Sequence, residues 1–210
     1  MTNNEHIYAQ VPAGYYFESL KTNPFQRFWH QQRFMQIQQW LKNKKGKLLD
    51  IGCADGVFTN ETSKALNKGS TIVAVDIYKS TIIFAQKHFP HIQFLTAPAE
   101  KLPFSTNSFD MVTCLEMLEH VEEPNTVLQQ IKRVLKKNGT ALILLPQETP
   151  LFKIIWWLWT KVKGKVWTHA HFQHFSLDTA SKLFEKNGFR VTRKKTFLLN
   201  MLMVFELQKP

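Results

Sequence analysis

The sequence feature that most limits the fold is the segment 48–58, which reads Leu-Leu-Asp-Ile-Gly-Cys-Ala-Asp-Gly-Val-Phe. It combines an apolar run, an acid and two spaced glycines, and a helix-like stretch follows. This pattern indicates a strand that turns sharply into a helix. Gly52 and Gly56 let the backbone fold tightly and approach a ligand, and the helix start offers unpaired N–H groups. The segment therefore predicts an α/β fold and a site for a nucleotide-like ligand.

A second strand that ends in an acid supports this interpretation. Residues 71–75 have the pattern of a strand, and Asp76 follows them. Asp76 lies about 20 residues after Gly56, the distance at which a carboxylate can accept hydrogen bonds from both hydroxyls of a ribose. The two elements together indicate a nucleoside site more strongly than either does alone.

The glycine spacing distinguishes between two nucleoside cofactors. A nicotinamide site is expected to read Gly-x-Gly-x-x-Gly, whereas this segment has Asp50, Gly52 and Gly56 and lacks a third glycine. S-adenosylmethionine fits better, because it has no pyrophosphate and carries a sulfonium, an amino acid tail and a nucleoside. Asp50 and the backbone around Gly52 can face the cationic tail while Asp76 binds the ribose. The alternative is an ordinary turn in another doubly wound protein.

The same segment resembles motif I of the class I methyltransferases, with Ala54 where a middle glycine is usual. The methyl group of Ala54 is expected to narrow the turn without blocking it. Strands predicted at 92–96 and 108–115 follow in this family's order, and the resemblance extends over residues 47–208. It implies a doubly wound, Rossmann-like α/β sheet, mostly parallel with a C-terminal antiparallel strand, and S-adenosyl-L-methionine as the cofactor. The cofactor-binding residues that it implies are Asp50, Gly52, Cys53, Ala54, Gly56, Asp76, Ile77, Ala99, Glu100 and Leu115.

The loop after the third predicted strand departs from this family. In the small-molecule methyltransferases that the stretch resembles, an acid in this loop holds the adenine amine, but Pro98 stands in its place. Proline cannot supply a carboxylate. Adenine recognition is therefore expected to depend on the N–H group of Ala99, on apolar contacts and on Glu100.

The length of 210 residues predicts a single domain. Residues 1–46 form a helical lead-in, and residues 47–210 form the methyltransferase domain, with an aromatic and basic insert at 147–175. The lead-in is expected either to close over the methyl acceptor or simply to pack on the sheet. Two thiols, Cys53 and Cys114, follow or end predicted strands and are expected to be buried in a reducing cytoplasm.

Later segments predict the rest of the α/β pattern. Residues 123–135 have apolar residues at helical spacing, and the basic, glycine-containing run 136–139 is typical of a helix end. A fifth strand is predicted at 140–145. A further helix is expected at 177–187, with Ser176 as its N-cap, followed by an antiparallel strand pair.

The net charge of +11 suggests an anionic partner surface. The segment that begins at Leu151 and ends at Lys165 places Trp156, Trp157 and Trp159 among lysines, and its apolar run is far shorter than the roughly 20 residues that cross a bilayer. Tryptophan with lysine is typical of a helix in an anionic headgroup region, which would place the protein peripherally on the inner membrane face. Alternatively, this segment forms a lid over the methyl acceptor or a dimer contact. Binding of nucleic acid is a weaker alternative, because no recognised nucleic-acid-binding module is present.

The run 116–121 reads Glu-Met-Leu-Glu-His-Val and closely resembles the corresponding stretch of the ubiquinone-biosynthesis O-methyltransferases. Glu116, Glu119 and His120 have the spacing of one helical face. The resemblance implies that this face holds a divalent metal such as Mg²⁺ in some members. His120 is also the candidate catalytic base, since imidazole titrates near neutral pH. Structural roles for Glu119 and His120 are the alternative.

These observations predict a methyltransferase that O-methylates a hydrophobic or membrane-associated small molecule, such as a quinone-precursor-like hydroxyl. One alternative is a soluble N- or C-methyltransferase that uses the tryptophan-rich insert as a lid. Another is a non-catalytic S-adenosylmethionine-binding scaffold on a membrane or RNA. A second histidine group, His169, His171 and His174, either lines the acceptor pocket or caps loop groups.

Overall fold

The computed structural model describes residues 11–162 and 172–210, so residues 163–171 of the predicted insert, with His169 and His171, lie outside the described residues. The helices are α1 (Tyr15–Thr22), α2 (Pro24–Leu41), α3 (Val57–Ala65), α4 (Lys79–His88), α5 (Pro124–Val134), α6 (Pro150–Val162) and α7 (Leu177–Lys186). The strands are β1 (Lys47–Ile51), β2 (Thr71–Asp76), β3 (Gln93–Thr96), β4 (Phe109–Leu115), β5 (Leu135–Pro146), β6 (Arg190–Phe197) and β7 (Leu202–Gln208). A 3-10 turn, Leu118–His120, follows β4.

The strands form one sheet in the order β3-β2-β1-β4-β5-β7-β6. The first five strands are parallel to their neighbours, and β7 runs antiparallel between β5 and β6. The strand order reverses at β1. From β1 the chain first adds β2 and β3 on one side, and it then returns to add β4 and β5 on the other side. The predicted doubly wound, mostly parallel sheet with a C-terminal antiparallel addition is therefore confirmed. In such sheets ligands bind at the carboxyl ends of the strands beside this reversal.

Helices cover both faces of the sheet. On one face α5 and α7 bury Leu128 and Phe184 against strand residues such as Leu49 and Val112. On the other face α2 buries Ile37 and other apolar residues against Leu48, Met111, Leu142 and Val204. The lead-in helix α2 thus packs on the sheet, which fixes the position of the side chains on its buried side.

One predicted boundary is wrong. The segment 136–139 does not end a helix before a strand at 140, because α5 ends at Val134 and β5 begins at once with Leu135, which pairs with Phe109. The register then shifts between Phe109 and Met111, and Asn138 has a positive φ of 61°. The asparagine and glycine therefore form an irregularity within β5 and not a helix C-cap.

Two smaller predictions are confirmed. Ser176 caps α7, and its hydroxyl accepts a hydrogen bond from the N–H of Thr179. Cys53 and Cys114 are free thiols and both are buried. Burial raises the pKa of each thiol well above its usual value, so both stay protonated at neutral pH. The division into one domain with a lead-in stays a prediction.

Candidate active site

A cavity of about 410 Å³ opens at the carboxyl ends of β1, β2 and β4. It is lined by nine of the predicted cofactor residues, namely Asp50, Gly52, Cys53, Ala54, Asp76, Ile77, Ala99, Glu100 and Leu115. Two of the predicted catalytic residues, Glu116 and His120, line it as well. The structure thus brings together residues that are up to 70 positions apart in the sequence, because parallel strands end at the same edge of the sheet.

Gly56, by contrast, is not among the lining residues. It has a φ of 81° and precedes α3. A Cβ atom at this position would lie 2.8 Å from Cζ of Phe94 and 3.0 Å from Cβ of Ala85. Gly56 is therefore required for close packing of the turn against β3 and α4, as well as for its left-handed backbone.

The turn after β1 is held by backbone contacts to β2. The N–H groups of Gly52 and Cys53 both donate to the carbonyl of Val75, at 2.9 and 3.1 Å. Ala54 has a φ of 46°, a conformation that costs a residue with a Cβ roughly 1 kcal/mol or more. Its N–H donates to Oδ2 of Asp76 at 2.8 Å. This bond links the turn to the end of β2 and stabilises the unusual alanine conformation.

Asp50 is buried at the cavity wall, and both of its carboxylate oxygens are occupied. Thr59 donates to Oδ2 at 2.6 Å, and Thr113 donates to Oδ1 at 2.7 Å. Burial raises the pKa of Asp50 despite these two hydrogen bonds. Its side chain is fixed by two neighbouring elements, α3 and β4, and contributes negative charge to the wall.

Asp76 ends β2 and accepts two backbone hydrogen bonds. Oδ1 accepts from the N–H of Tyr78 at 3.0 Å, and Oδ2 accepts from Ala54. Each carboxylate oxygen has a second lone-pair direction, so hydroxyl groups of a ligand can still bind. Burial raises the pKa of Asp76, and the backbone N–H groups lower it in part.

The charge on the cavity wall is strongly unbalanced. Arg33 is the one lysine or arginine among the lining residues in the described part of the chain. Six carboxyl groups line the same cavity: Asp50, Asp55, Asp76, Glu100, Glu116 and Glu122. A site with this balance favours a ligand that carries positive charge.

The turn after β4 does not place Glu116, Glu119 and His120 on one helical face. Glu116 has a left-handed φ of 50°, and only the three residues from Leu118 form a 3-10 turn. The carboxylate of Glu116 pairs with Arg33, and Glu119 is 1% exposed and does not line the cavity. Across the described residues, no three His, Cys, Asp or Glu side chains form a group that could hold a metal ion. These three donors therefore do not fit the predicted metal site.

His120 and Glu119 remain close to each other. Nε2 of His120 lies 3.8 Å from Oε1 of Glu119. Burial, followed by the charge of Glu116, raises the pKa of Glu119 well above its usual range. The pair is thus a buried acid beside an imidazole that reaches the cavity.

The lead-in helices supply lining residues that the sequence analysis did not identify, including Tyr16 from α1 and Arg33 from α2. Burial raises the pKa of Tyr16 above its usual value, so its hydroxyl stays protonated. The sequence did contain a pattern that could have identified Arg33. His30 and Arg33 share the buried side of α2 with Ile37 and other apolar residues. Charged or polar residues on an otherwise apolar helix face need a partner and often mark a site.

Asp55 joins the lead-in to the cofactor turn. Helix α1 follows Gly14 and has no side-chain cap of its own, but Oδ2 of Asp55 accepts a hydrogen bond from the N–H of Phe17 at 2.8 Å. Oδ1 of the same carboxylate accepts from the N–H of Val57 at 3.3 Å, at the start of α3. One buried carboxylate thus binds the N-termini of two helices, where negative charge is favourable.

We expect Asp55→Ala to lower the free energy of unfolding by about 2 kcal/mol, because the N–H groups of Phe17 and Val57 lose a charged acceptor. Denaturant unfolding of the ligand-free protein measures this change. Asp178→Ala is the matched control, since Asp178 pairs with Lys182 on the surface of α7. That variant should change stability by less than about 0.5 kcal/mol. Equal effects of the two substitutions would contradict the capping role.

The comparisons with known proteins agree with this geometry. Residues 49–143 match the family model described as a methyltransferase domain. The chain is 36% identical over 99 residues to the ubiquinone biosynthesis O-methyltransferase of Paracidovorax citrulli. This match covers 44% of this chain and 40% of that protein. It is 30% identical over 128 residues to the protein of the same name from Pseudomonas fluorescens, covering 55% and 54%. The chain spans about half the length of the curated relatives it matches.

A solved structure gives the fold independently. The S-adenosylmethionine-dependent methyltransferase from Aquifex aeolicus superposes with a TM-score of 0.68 at 14% identity, and the match covers 100% of both chains. At this identity the likeness shows the fold alone. The fold of this chain is the doubly wound fold predicted from the sequence, and residues 49–143 are the part of the chain that matches the methyltransferase-domain model.

Proposed function

We propose that this chain, which carries a methyltransferase domain, uses S-adenosylmethionine to methylate a hydroxyl group of a hydrophobic small molecule. The observation that carries the proposal is the cavity itself. Its acidic wall contains the residues predicted to hold a cationic nucleoside cofactor, and its other wall is built from the lead-in helices. The names of the curated relatives support O-methylation in particular.

The donor set fits the cofactor. Asp76 would accept the ribose hydroxyls, and Ala99 and Glu100 line the region expected for adenine. The carboxylates of Asp50 and its neighbours would attract the cationic tail and the sulfonium. When bound, the cofactor would supply an activated methyl group.

The cavity also combines apolar walls with a candidate base. Phe58, Met117 and Val121 line it together with His120. Apolar walls exclude water from the acceptor, and orientation by a packed pocket supplies much of the rate in a transfer reaction. His120 would take the hydroxyl proton as a general base, and Oε1 of Glu119 lies 3.8 Å from its Nε2.

Transfer of a labelled methyl group tests this function. The protein is incubated with S-adenosylmethionine that carries a labelled methyl group and with lipid and small-molecule extracts of the source organism, and the product is then identified. The proposal expects label on an oxygen of an apolar molecule. Label on nitrogen or carbon would support the N- or C-methyltransferase alternative, and cofactor binding without any transfer would support a non-catalytic scaffold.

We also propose that helix α6 contacts an anionic membrane surface at the cytoplasmic face. Phe152 is buried and stacks on Trp156, with ring centroids 5.6 Å apart. The opposite side exposes five apolar residues: Leu151, Ile154, Ile155, Trp157 and Leu158. Lys153 and Lys161 are exposed on the same helix. Among the described residues, no helix has the length and apolar character needed to cross a membrane, whereas this composition suits the headgroup region.

Vesicle co-sedimentation should show binding that needs acidic lipid and weakens with salt. Vesicles of phosphatidylcholine with phosphatidylglycerol are compared with vesicles of phosphatidylcholine alone. Combined Ile154→Ser and Trp157→Ser substitutions should abolish the binding, because both side chains are 58% exposed. Phe25→Ser, which removes an 86% exposed side chain from α2, is the control and should bind as before. Equal sedimentation of all three proteins would contradict the role of α6.

A further inference from the structure

We propose that the amino edge of the sheet binds the phosphate backbone of a nucleic acid duplex. The amino edge is the side of the molecule where the parallel strands begin, and it lies opposite the cavity at their carboxyl ends. The inference goes beyond the proposed function, because it concerns a second surface and does not depend on methyl transfer.

Positive charge is concentrated in the turns and the element ends at the amino edge, which together are called the basic face below. The basic face carries eleven basic residues: Lys42, Lys44, Lys45, Lys47, Lys68, Lys132, Lys136, Lys137, Lys186, Arg190 and Lys209. The acids among them are Asp110, Glu185 and Glu206. The wall of the cavity has the reverse balance, with six carboxyl groups and one arginine. The two edges of the sheet therefore have opposite charge.

Contacts around the first strands show that the basic residues lie side by side. A Cβ atom at Gly69, in the turn before β2, would lie 3.5 Å from Cε of Lys45. Lys45 therefore reaches the turn that carries Lys68. Nζ of Lys47 lies 4.8 Å from the ring centroid of Phe109, the first residue of β4. The basic face thus extends from β2 across β1 to β4.

The same face continues to the far side of the sheet. Nζ of Lys209 donates to the carbonyl of Leu135, the first residue of β5, at 2.6 Å. Nζ of Lys132, in the last turn of α5, lies directly against Gly188, just before β6. Burial, and then the charge of Lys132, lowers the pKa of Lys209. The two lysines are thus close enough to repel each other, and an anion bound beside them would relieve this repulsion.

Most of these cations have no acidic partner. Lys44 pairs with Glu206 at 2.9 Å, and Lys136 pairs with Asp110 at 2.7 Å. Within residues 11–162 and 172–210, none of the other nine forms an ion pair with a carboxylate. Seven of these nine residues are exposed: Lys42, Lys45, Lys47, Lys68, Lys137, Lys186 and Arg190. An anionic partner can therefore meet them without breaking an existing pair.

Helix ends explain only part of this charge. A cation near a helix C-terminus is favourable, which accounts for Lys132, Lys186 and Lys42. The remaining unpaired cations lie beyond the last turn of any helix, in turns or at strand ends: Lys45, Lys47, Lys68, Lys137, Arg190 and Lys209. Like charges at this density repel each other, and a bound anion removes that repulsion.

The composition of the basic face favours nucleic acid over other anionic partners. In the described part of the chain, none of the exposed large apolar side chains lies on this face. A membrane-binding surface uses such side chains for insertion, and a stable protein interface has an apolar centre. A single strand is held by exposed aromatic rings that stack on its bases. Lysines without apolar neighbours suit the phosphates of a duplex, whose bases are already stacked.

The dimensions of the basic face fit a duplex that lies across the strand ends. Neighbouring strands are about 4.8 Å apart, so the path from β2 to β6 extends over roughly 24 Å. Duplex DNA carries one phosphate charge per about 1.7 Å of its axis, so about 14 charges fall within this length, and roughly half of them face the protein. The length of β1 separates this edge from the cavity by about 17 Å. A bound duplex is therefore a partner and not the methyl acceptor.

Fluorescence anisotropy with a short labelled DNA duplex, and with an RNA duplex of the same sequence, tests the proposal. Both should bind with a Kd of about 10⁻⁵ M near physiological salt, because phosphates and not bases are contacted. Contacts to about six phosphates predict that the logarithm of the binding constant falls with the logarithm of the salt concentration, with a slope of about −5. No binding at low salt, or a slope near zero, would overturn the proposal.

A charge-neutralised variant locates the surface. Lys45→Gln combined with Lys137→Gln should make the salt slope shallower by about 2 and weaken duplex binding at least about 10-fold at 0.1 M salt, while either substitution alone should change the slope by about 1. The affinity for S-adenosylhomocysteine should not change. Lys79→Gln combined with Lys101→Gln is the matched control, because both residues are exposed and follow the carboxyl ends of β2 and β3. Equal losses in the two double variants would show that net charge alone drives binding, and the basic face would then have no special role.

Vesicles distinguish nucleic acid from lipid as the partner. A Lys45→Gln, Lys137→Gln variant that binds the duplex like the wild type but loses binding to phosphatidylglycerol vesicles would assign the basic face to lipid and overturn the proposal. Failure of methyl transfer would remove only the proposed function, since duplex binding is measured without turnover.

Discussion

Replacing His120 by alanine is expected to lower kcat about 10²- to 10⁴-fold, the usual effect of removing a general base. His120 lines the cavity, and its Nε2 lies 3.8 Å from Oε1 of Glu119. Its imidazole is thus placed to take a proton from a group bound in the cavity. The variant should bind S-adenosylhomocysteine with wild-type affinity, since His120 is not expected to contact the nucleoside.

His91→Ala is the matched control, because His91 is exposed in the turn between α4 and β3. It should leave kcat within a factor of about two, as expected for a surface position. Near-full activity of His120→Ala would show that the histidine has only a structural role in the turn. A parallel loss of cofactor affinity would place its effect on binding and not on proton transfer.

Replacing Asp76 by alanine is expected to weaken cofactor binding by about 1.5 to 3 kcal/mol, or roughly 10- to 150-fold. The substitution removes the acceptor for the ribose hydroxyls and also frees the N–H of Ala54, which lies in the strained turn. Calorimetric titration with S-adenosylhomocysteine measures the loss. Unchanged affinity in a folded variant would remove Asp76 from the site.

Asp110→Ala is the control for this measurement. Asp110 lies near the amino end of β4, and the cavity lies at the carboxyl ends of the strands. There Asp110 pairs with Lys136. It should not affect affinity.

The pH dependence gives a further check on Asp76. Its pKa is raised by burial, and binding is expected to need the ionised form. The affinity for S-adenosylhomocysteine should therefore fall as the pH is lowered. The fall should begin at a pH above the usual pKa range of an aspartate.

The cofactor half of the site could be predicted from the sequence for a physical reason. Asp50 and Asp76 each end or nearly end an apolar strand, and strands in a parallel sheet bring their carboxyl ends together. Strand pattern alone therefore placed both acids at one cavity. The turn at Ala54 could be located for the same reason, although its positive φ and its bond to Asp76 could not be derived from the residue type.

The acceptor half could not be predicted in the same way. The spacing of Glu116, Glu119 and His120 suggested one helical face, but the left-handed backbone at Glu116 breaks that periodicity. The partner of Glu116, Arg33, comes from a helix 83 positions earlier in the chain. Local pattern carries no information on such a pairing, since it depends on how α2 packs across the sheet.

Calorimetric titration of the wild-type protein with S-adenosylmethionine tests the central claim most directly, with NAD⁺ as the competing nucleoside cofactor. The acidic cavity, the two-glycine turn and Asp76 predict saturable binding of one S-adenosylmethionine per chain and no measurable heat with NAD⁺. Binding of NAD⁺ alone, or of neither cofactor by the folded protein, would contradict the account.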